Sequence, residues 1–209
     1  MTDSINKLFA MCKDINFDKN SALEIIQKVN LNADYAGPQY PNLTETFLLE
    51  ACTYANIEMV KLLLENGADP NYIICEEKYL WQDNAFWTMQ YYISDEPEEY
   101  EMGLKIAQLM LEYGASPSVS VSGEDLFSYV CDMVFNDDHS DDLQLEYRQR
   151  FFILLIAYGG SNEYCKPDII GEFDKTNMAQ YYFKHVLCAD HYHLTGEIID
   201  NDGNVIATV

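Results

Sequence analysis

The chain has 209 residues, the length of one domain with at most a small appendage. Its 35 acidic and 12 basic residues give a formal net charge of −23. This charge excludes ordinary recognition of the nucleic-acid backbone and disfavours anionic membranes, because both need clustered lysine and arginine. Hydrophobic residues make up 48% of the sequence and aromatic residues 13%, so the acidic charge belongs to the surface of a globular protein with a packed core.

The start of the chain shows no targeting signal. Residues 1–16 lack the basic head and the continuous apolar run of a signal peptide. The longest apolar run, Phe151 to Ala157, is too short for a membrane-spanning helix. Six cysteines lie far apart and form no CxxC pair, which is typical of reduced thiols rather than of a disulfide framework. We therefore expect a cytoplasmic, monomeric protein.

In chain order, the sequence predicts apolar helices that come in pairs. After two short apolar patterns within residues 4–32, the predicted pairs are 46–55 with 57–71, 85–93 with 104–118, and 124–135 with 150–162. The second helix of each pair ends at a glycine (Gly67, Gly114 or Gly159), and these glycines are 47 and 45 residues apart. Glycine suits the left-handed residue that closes a helix, so the spacing indicates a repeat of helix, connection, helix and glycine-terminated loop.

The first of these pairs resembles the ankyrin repeat. Thr46-Phe-Leu-Leu-Glu-Ala-Cys52 stands where that family has a T-P-L-H-x-A-A run, and Leu62-Leu63 with Gly67-Ala-Asp-Pro-Asn71 is similar to the end of its second helix. The resemblance holds for the second half of the next pair, is weak in the third, and makes residues 4–32 a capping repeat. It implies an all-α, ankyrin-like helical solenoid of about three to four irregular repeats, whose usual period of about 33 residues is stretched here.

The extra residues fall mainly into three insertions. One is a finger between repeats, residues 72–83, which carries Tyr79 and Trp81. The other two are predicted connections between the two helices of a repeat, residues 94–103 and 136–146, and each contains five acidic residues. The acidic charge is therefore concentrated in the middle of the chain.

Beyond residue 162 the repeat pattern stops. The spacing of apolar residues predicts one more amphipathic helix over 178–187. Two apolar runs, 194–199 and 204–209, flank Asp-Asn-Asp-Gly and predict a β-hairpin. The predicted domains are a repeat stack over 1–162, with its N-terminal capping repeat in 1–43, and a C-terminal cap of helix and hairpin over 163–209.

Catalytic and metal-binding patterns are weak. The sequence contains no nucleophile elbow, no phosphate-binding glycine loop and no zinc-protease motif. The run Cys188-Ala-Asp-His-Tyr-His193 could supply zinc ligands, but no second cluster completes a tetrahedron. Asp200-Asn-Asp-Gly203 lacks the later acidic residue that a calcium loop needs. We expect no metal, no cofactor and no enzymatic activity, and a metalloprotein built on the cysteine–histidine run is the weakest alternative.

The ankyrin resemblance implies a non-catalytic interaction module, an adaptor or scaffold that binds a protein partner with its finger loops and the concave side of its first helices. The net charge favours a basic partner, although acidic loops that only maintain solubility need none. The alternative is an acidic immunity or inhibitor protein that neutralises a basic enzyme such as a nuclease toxin. The candidate partner-binding residues are Glu50, Thr53, Tyr54, Ser128 and Asp132 on the concave side, Tyr79 and Trp81 in the finger, and Glu96, Glu98, Glu99 and Glu101 in the first acidic insertion.

Overall fold

The structure, a computed structural model, describes residues 2–36, 44–76, 81–91, 97–136, 142–160, 197–199 and 205–208. The chain forms two compact units. The first comprises Met1–Tyr92 and Glu101–Ala115, and the second comprises Ile93–Tyr100 and Ser116–Val209. The described part of the chain is rich in helix, as predicted, and none of its helices is both long and apolar enough to cross a bilayer.

Short helices that follow one another in pairs form most of the first unit. They are α1 (Thr2–Lys13), α2 (Lys19–Ile26), α3 (Phe47–Thr53), α4 (Ile57–Glu65) and α5 (Ala85–Thr88), which continues into a 3₁₀ turn over Met89–Tyr91. Helix α3 packs against α1, α4 and α5. The ring centroids of Phe9 and Phe47 are 4.6 Å apart, and those of Tyr35 and Phe47 are 5.0 Å apart. The buried rings of Phe9 and Phe47 hold α1 against α3, and the partly exposed Tyr35 ring packs beside them.

Three further helices follow in the described part of the chain: α6 (Pro97–Glu112), α7 (Leu126–Asn136) and α8 (Asp142–Ala157). Helix α6 contributes to both units, because its residues up to Tyr100 belong to the second unit and the rest belong to the first. Helices α7 and α8 pack against each other within the second unit, where the ring centroids of Phe127 and Phe152 are 5.1 Å apart.

The two acidic insertions are helical where the structure describes them, which corrects the prediction that they are connections between helices. Helices α6 and α8 both begin 17 residues before the glycine that closes them, whereas α4 begins 10 residues before its own glycine. Both long helices therefore have an N-terminal extension, the α6 extension (residues 97–103) and the α8 extension (residues 142–148). Proline fits the first position of a helix and glutamates are favourable in the first turn, so Pro97-Glu-Glu starts a helix.

Short antiparallel hairpins join the helix pairs. They are β1 (Tyr35–Ala36) with β2 (Thr44–Glu45), β3 (Ile74–Glu76) with β4 (Trp81–Asp83), and β5 (Ser120–Val121) with β6 (Glu124–Asp125). The finger predicted over 72–83 is the β3–β4 hairpin, and the sequence analysis missed the other two. In β5–β6 the turn residues Ser122 and Gly123 both have positive φ, 53° and 89°, as a two-residue type I′ turn requires.

A fourth hairpin lies near the C-terminus, where β7 (Glu197–Ile199) pairs with β8 (Val205–Thr208). This confirms the strand pair predicted there. The helix predicted over 178–187 lies outside the described residues. The predicted domain boundary after residue 162 stays a prediction.

Glycines close α4, α6 and α8 in the same way, as the repeat pattern predicts. The φ angles of Gly67, Gly114 and Gly159 are 91°, 90° and 89°. At the end of α4 the N–H of Gly67 donates to the Leu64 carbonyl at 3.1 Å, and the next N–H donates to the carbonyl five residues back at 3.0 Å. The same pair of bonds occurs after α6 and α8, and together they form the Schellman motif that satisfies the last carbonyls of a helix.

A polar turn recurs behind α2, α4 and α6. In each turn a side-chain oxygen accepts a hydrogen bond from the backbone N–H two residues later. The pairs are Asn30 with Asn32 (3.1 Å), Asp69 with Asn71 (2.8 Å) and Ser116 with Ser118 (3.3 Å). The same turn also follows α1, where the Asn16 N–H donates to Asp14 at 2.9 Å, so the turn alone does not mark the end of a repeat. The interpretation of residues 4–32 as a repeat and the number of repeats stay predictions.

Two of these turns are tied to the following helix end by an asparagine. The Asn32 amide donates to the Gly67 carbonyl at 3.0 Å, and the Asn71 amide donates to the Gly114 carbonyl at 2.8 Å. The Asn32 carbonyl oxygen also accepts from the Asp69 N–H at 2.7 Å. Successive repeats of the first unit are therefore joined by the same side-chain hydrogen bond.

Candidate binding surface

The predicted concave residues of α3 form a charged and aromatic cluster with the end of α1. Glu50 is only 6% exposed, and its carboxylate lies 2.7 Å from the Lys13 ammonium group. The same ammonium group donates to the Tyr54 hydroxyl at 3.1 Å and lies 4.6 Å from the Tyr54 ring centroid. Tyr54 is 41% exposed, and Thr53 is exposed beside it. Glu50 thus holds α1 on α3, and Thr53 and Tyr54 are the open part of the cluster.

The cluster has a net negative charge. Burial raises the pKa of Glu45 above its usual value, and the nearby Glu50 carboxylate raises it further, although Lys13 opposes the change. Partial burial of the Lys13 ammonium group would lower its pKa, but hydrogen bonds to Glu50 and Tyr54 outweigh this effect and raise it. Two carboxylates therefore share one lysine, which is held in its charged form.

Asn84 anchors the base of the β3–β4 finger. It is fully buried and directly precedes α5. Its side-chain oxygen accepts from the N–H groups of Phe86 (2.8 Å) and Trp87 (2.9 Å), and its amide group donates to the carbonyls of Pro70 and Tyr72, both at 3.0 Å. One side chain therefore caps α5 and fixes the chain that leads into the finger, whose second strand, β4, begins at Trp81.

A helix presents the acidic residues of the first insertion. Glu98, Glu99 and Glu101 lie on the α6 extension, where Glu99 is exposed and Glu101 is partly exposed. Tyr100, between them, is buried, and its ring centroid lies 5.1 Å from that of Tyr147 on the α8 extension. The contact between the two extensions holds these carboxylates on an ordered helix instead of a loop.

The remaining candidate residues are described only in part. Ser128 and Asp132 both lie on α7, and Asp132 is described by its backbone alone. Ser128 is partly exposed, and its N–H donates to the Asp125 carboxylate at 2.9 Å, which caps α7. Tyr79 and Glu96 lie outside the described residues.

The structure describes the thiols of Cys12, Cys52, Cys75 and Cys131, and none of these four forms a disulfide bond. Burial raises the pKa of the Cys12 and Cys52 thiols well above their usual range, so both stay protonated and serve as structural side chains. Within the described ranges no group of three or more histidine, cysteine, aspartate or glutamate residues could hold a metal ion. The run from Cys188 to His193 lies outside those ranges.

The sequence analysis missed Lys13 and Tyr100, each of which contacts or neighbours candidate residues of its own compact unit. Each has a signal in the sequence. Lys13 and Thr53 are the last residues of α1 and α3, so a repeat alignment places Lys13 on the same face as the predicted concave residues. Tyr100 stands in the first turn after Pro97, where an apolar ring within an acidic run indicates a helix with one buried side.

Comparison with known protein families confirms the resemblance. The model of the ankyrin repeat matches residues 43–71, the segment that contains β2, α3, α4 and the Gly67 turn. Ankyrin repeats generally mediate protein–protein interaction. A comparison with curated proteins finds no match to the chain.

Proposed function

We propose that the chain, whose residues 43–71 match the ankyrin repeat, is a non-catalytic module that binds a basic protein. The proposed partner-binding residues lie on the acidic α6 extension, in the β3–β4 finger and at the exposed end of α3. The observation that carries the proposal is the charge: a formal net charge of −23, with fourteen acidic and three basic residues between positions 44 and 118. Such a field attracts cationic surfaces and repels anionic ones.

The order of the α6 extension favours binding over a role in solubility alone. Carboxylates on a disordered loop lose conformational freedom when a partner orders them, and this loss weakens binding. Glu99 and Glu101 instead stand on a helix that the buried Tyr100 ring anchors. A basic partner would therefore meet these acidic residues in a fixed arrangement.

Acidic and aromatic residues would contribute to different steps of binding. Charges at the rim of an interface act mainly on the association rate, whereas buried aromatic anchors act on the dissociation rate. Glu96, Glu98, Glu99 and Glu101 are the proposed steering group. Tyr79, Trp81 and the exposed Tyr54 ring are the proposed anchors, because tyrosine and tryptophan bury a large area and keep a polar tip.

The experiment captures partners on immobilised chain at low ionic strength, identifies them by mass spectrometry and measures their binding kinetics. In the steering variant, Glu96, Glu98, Glu99 and Glu101 are replaced by glutamine. The matched control makes the same change in charge at four other exposed acids, Asp3, Glu24, Glu65 and Glu124, which are replaced by their amides. We expect the steering variant to associate about tenfold more slowly at low salt, and the control to change much less.

The anchors are tested on the same captured partner. Tyr79→Ala or Trp81→Ala should shorten the lifetime of the complex and leave the association rate nearly unchanged. An association rate that is indifferent both to salt and to the steering variant would contradict the proposed role of the charge, because exposed charges are screened over about 8–10 Å at physiological ionic strength.

The inhibitor alternative is decided by the activity of the captured partner. If that partner is a basic enzyme whose activity falls in proportion to the added chain, the protein is an inhibitor. If the partner keeps its activity in the complex, or has none, the adaptor function stands.

A further inference from the structure

One face of α8 is buried, although the equivalent face of a helix at the protein surface is normally exposed to water. Gln149, Ile153 and Ala157 follow one another at intervals of four residues and so lie on one face of the helix. They are 1%, 0% and 1% exposed. We name this face the α8 stripe.

Two of the three equivalent positions of α4 are charged and exposed, and the third, Ile57, is partly exposed. The two helices can be compared position by position, because Gly67 and Gly159 close them with the same hydrogen bonds. The corresponding pairs are Ile153 with Lys61 and Ala157 with Glu65, and both α4 residues are exposed. The fold therefore places this face outward in α4, whereas in α8 something covers it.

Helix α7 packs on a different side of α8. The ring of Phe152 meets Phe127 of α7, and Ile153 lies about 100° further around the helix. Strand β8 also lies next to α8, within the same unit. The β7–β8 hairpin is thus close enough to reach the α8 stripe.

We propose that the β7–β8 hairpin packs on the α8 stripe and caps the last helix pair. The hairpin then occupies the face that a further repeat or a second copy of the chain would otherwise use. The proposal concerns the end of the repeat region and does not depend on the partner proposed above.

Each element needs the other. A helix that is apolar on all sides must be buried, and every residue from 151 to 157 of α8 is buried. A two-stranded hairpin is at best marginally stable alone in water. The strands contain Ile198, Ile199, Val205 and Ile206, which is enough apolar sequence to cover one face of a helix.

The experiment follows amide hydrogen exchange of the full chain after Ile153→Lys, which gives α8 the residue that α4 has at this position. We expect the amides of 197–199 and 205–208 to exchange about tenfold faster or more, because the hairpin loses its support. The matched control is Lys61→Ile on α4, which should leave exchange in the hairpin unchanged. A folded Ile153→Lys variant with an unchanged hairpin would overturn the proposal.

If Ile153→Lys does not fold, two variants of strand β8 test the same contact from the side of the hairpin. Ile206→Lys and Ala207→Lys place a charge on opposite faces of β8, because successive strand residues point to opposite sides. We expect one of the two, and not the other, to accelerate exchange in residues 149–157. If neither variant changes exchange there while both fold, β8 does not cover the α8 stripe.

Discussion

The α3–α4 and α7–α8 pairs use the same backbone devices for different surroundings. Both pairs begin with a capping residue, Thr46 or Asp125, and both end in a Schellman motif with glycine at φ near 90°. On α4 the outward residues Lys61 and Glu65 are charged and exposed, whereas the equivalent residues of α8, Ile153 and Ala157, are apolar and buried. The two pairs thus share their capping and turn positions and differ in the outward face of the second helix.

Length is the second difference between the pairs. Helix α4 starts directly behind its cap, Asn56, whereas α8 runs through the equivalent position and begins two turns earlier. The additional turns bring Tyr147 to Tyr100 of the α6 extension. The longer repeat period therefore adds helical turns at the N-terminal end of the second helix and leaves its C-terminal end unchanged.

The largest effect is expected at the equivalent leucines Leu63 and Leu155, which are both completely buried. Replacing either one by alanine should reduce the free energy of unfolding by about 2–5 kcal/mol, because the truncated side chain leaves a cavity. Urea denaturation of the two variants measures the loss. The exposed control Glu65→Ala should be nearly neutral. A loss below about 0.5 kcal/mol at Leu63 would contradict the repeat assignment at its best-matched point.

The next effect concerns the cap of α4, Asn56, at a position where α8 is already helical. Asn56 is buried, accepts from the Met59 N–H at 3.1 Å, and donates to carbonyls of α1 and its following loop, including that of Asp14 at 3.0 Å. Asn56→Ala should cost about 2–4 kcal/mol, because it removes a helix cap and leaves buried carbonyls without a donor.

The control for Asn56 is Asp125→Ala at the start of α7. Asp125 is only partly buried and its side chain caps one N–H, so about 1 kcal/mol is expected. Equal losses in thermal or urea denaturation would show that the Asn56 hydrogen bonds to the α1 region contribute nothing beyond the cap.

A smaller pair of effects comes from the helix ends. Gly67→Ala should destabilise the protein by about 1–2 kcal/mol, because alanine is strained at φ 91° although no neighbouring atom obstructs its side chain. After α3 the equivalent left-handed position holds an alanine instead of a glycine, because Ala55 has a φ of 52°. Ala55→Gly should therefore be neutral or stabilising by up to about 1 kcal/mol. Destabilisation by Ala55→Gly beyond that range would contradict the strain argument.

The sequence predicted what depends on local signals. Gly67, Gly114 and Gly159 gave the helix ends, and the Asp-Asn-Asp-Gly turn gave the C-terminal hairpin, because such residues act on the backbone next to them. The acidic insertions were misinterpreted as connections, because a high density of charge is typical of loops and conceals the helix start at Pro97. The hairpins β1–β2 and β5–β6 were missed because two-residue strands have no periodicity.

The candidate site was predictable only as a set of residue types. Helical phase places Glu50 and Tyr54 on one face, but the burial of Glu50 depends on Lys13, which lies 37 residues away. Such a pairing follows from packing rather than from a pattern. The stripe of α8 could have been found by comparing Ile153 with Lys61, since an apolar residue at an outward position indicates a covered face.

The smallest predicted effect concerns Glu45, which precedes α3 and lies near Glu50 and Lys13. The α7–α8 pair lacks the Glu50 charge, because α7 has Tyr129 at the equivalent position. Burial raises the folded-state pKa of Glu45 above 4.5, so the folded state holds its proton more tightly than the unfolded state. The contribution of Glu45 to stability therefore falls as pH rises from the unfolded pKa to the raised folded pKa, and it stays unfavourable above that window. Glu45→Gln should then stabilise the protein at neutral pH by less than about 1 kcal/mol, because solvent screens a half-buried group, and the gain should vanish below the window.

Glu58 provides the opposite case for the same measurement. Its hydrogen bond to Lys19, at 2.6 Å, lowers the pKa of the Glu58 carboxyl, so its contribution is present above the unfolded pKa and is lost as pH falls through the lowered folded value. Glu58→Gln should slightly destabilise the protein at neutral pH and converge with the wild type in acid. Urea midpoints measured across pH therefore should differ from the wild type with opposite signs for the two variants. If Glu45→Gln also destabilises at neutral pH, Glu45 makes a favourable contact in its ionised form, and the cluster of Lys13, Glu45 and Glu50 stabilises the α1–α3 contact through both carboxylates.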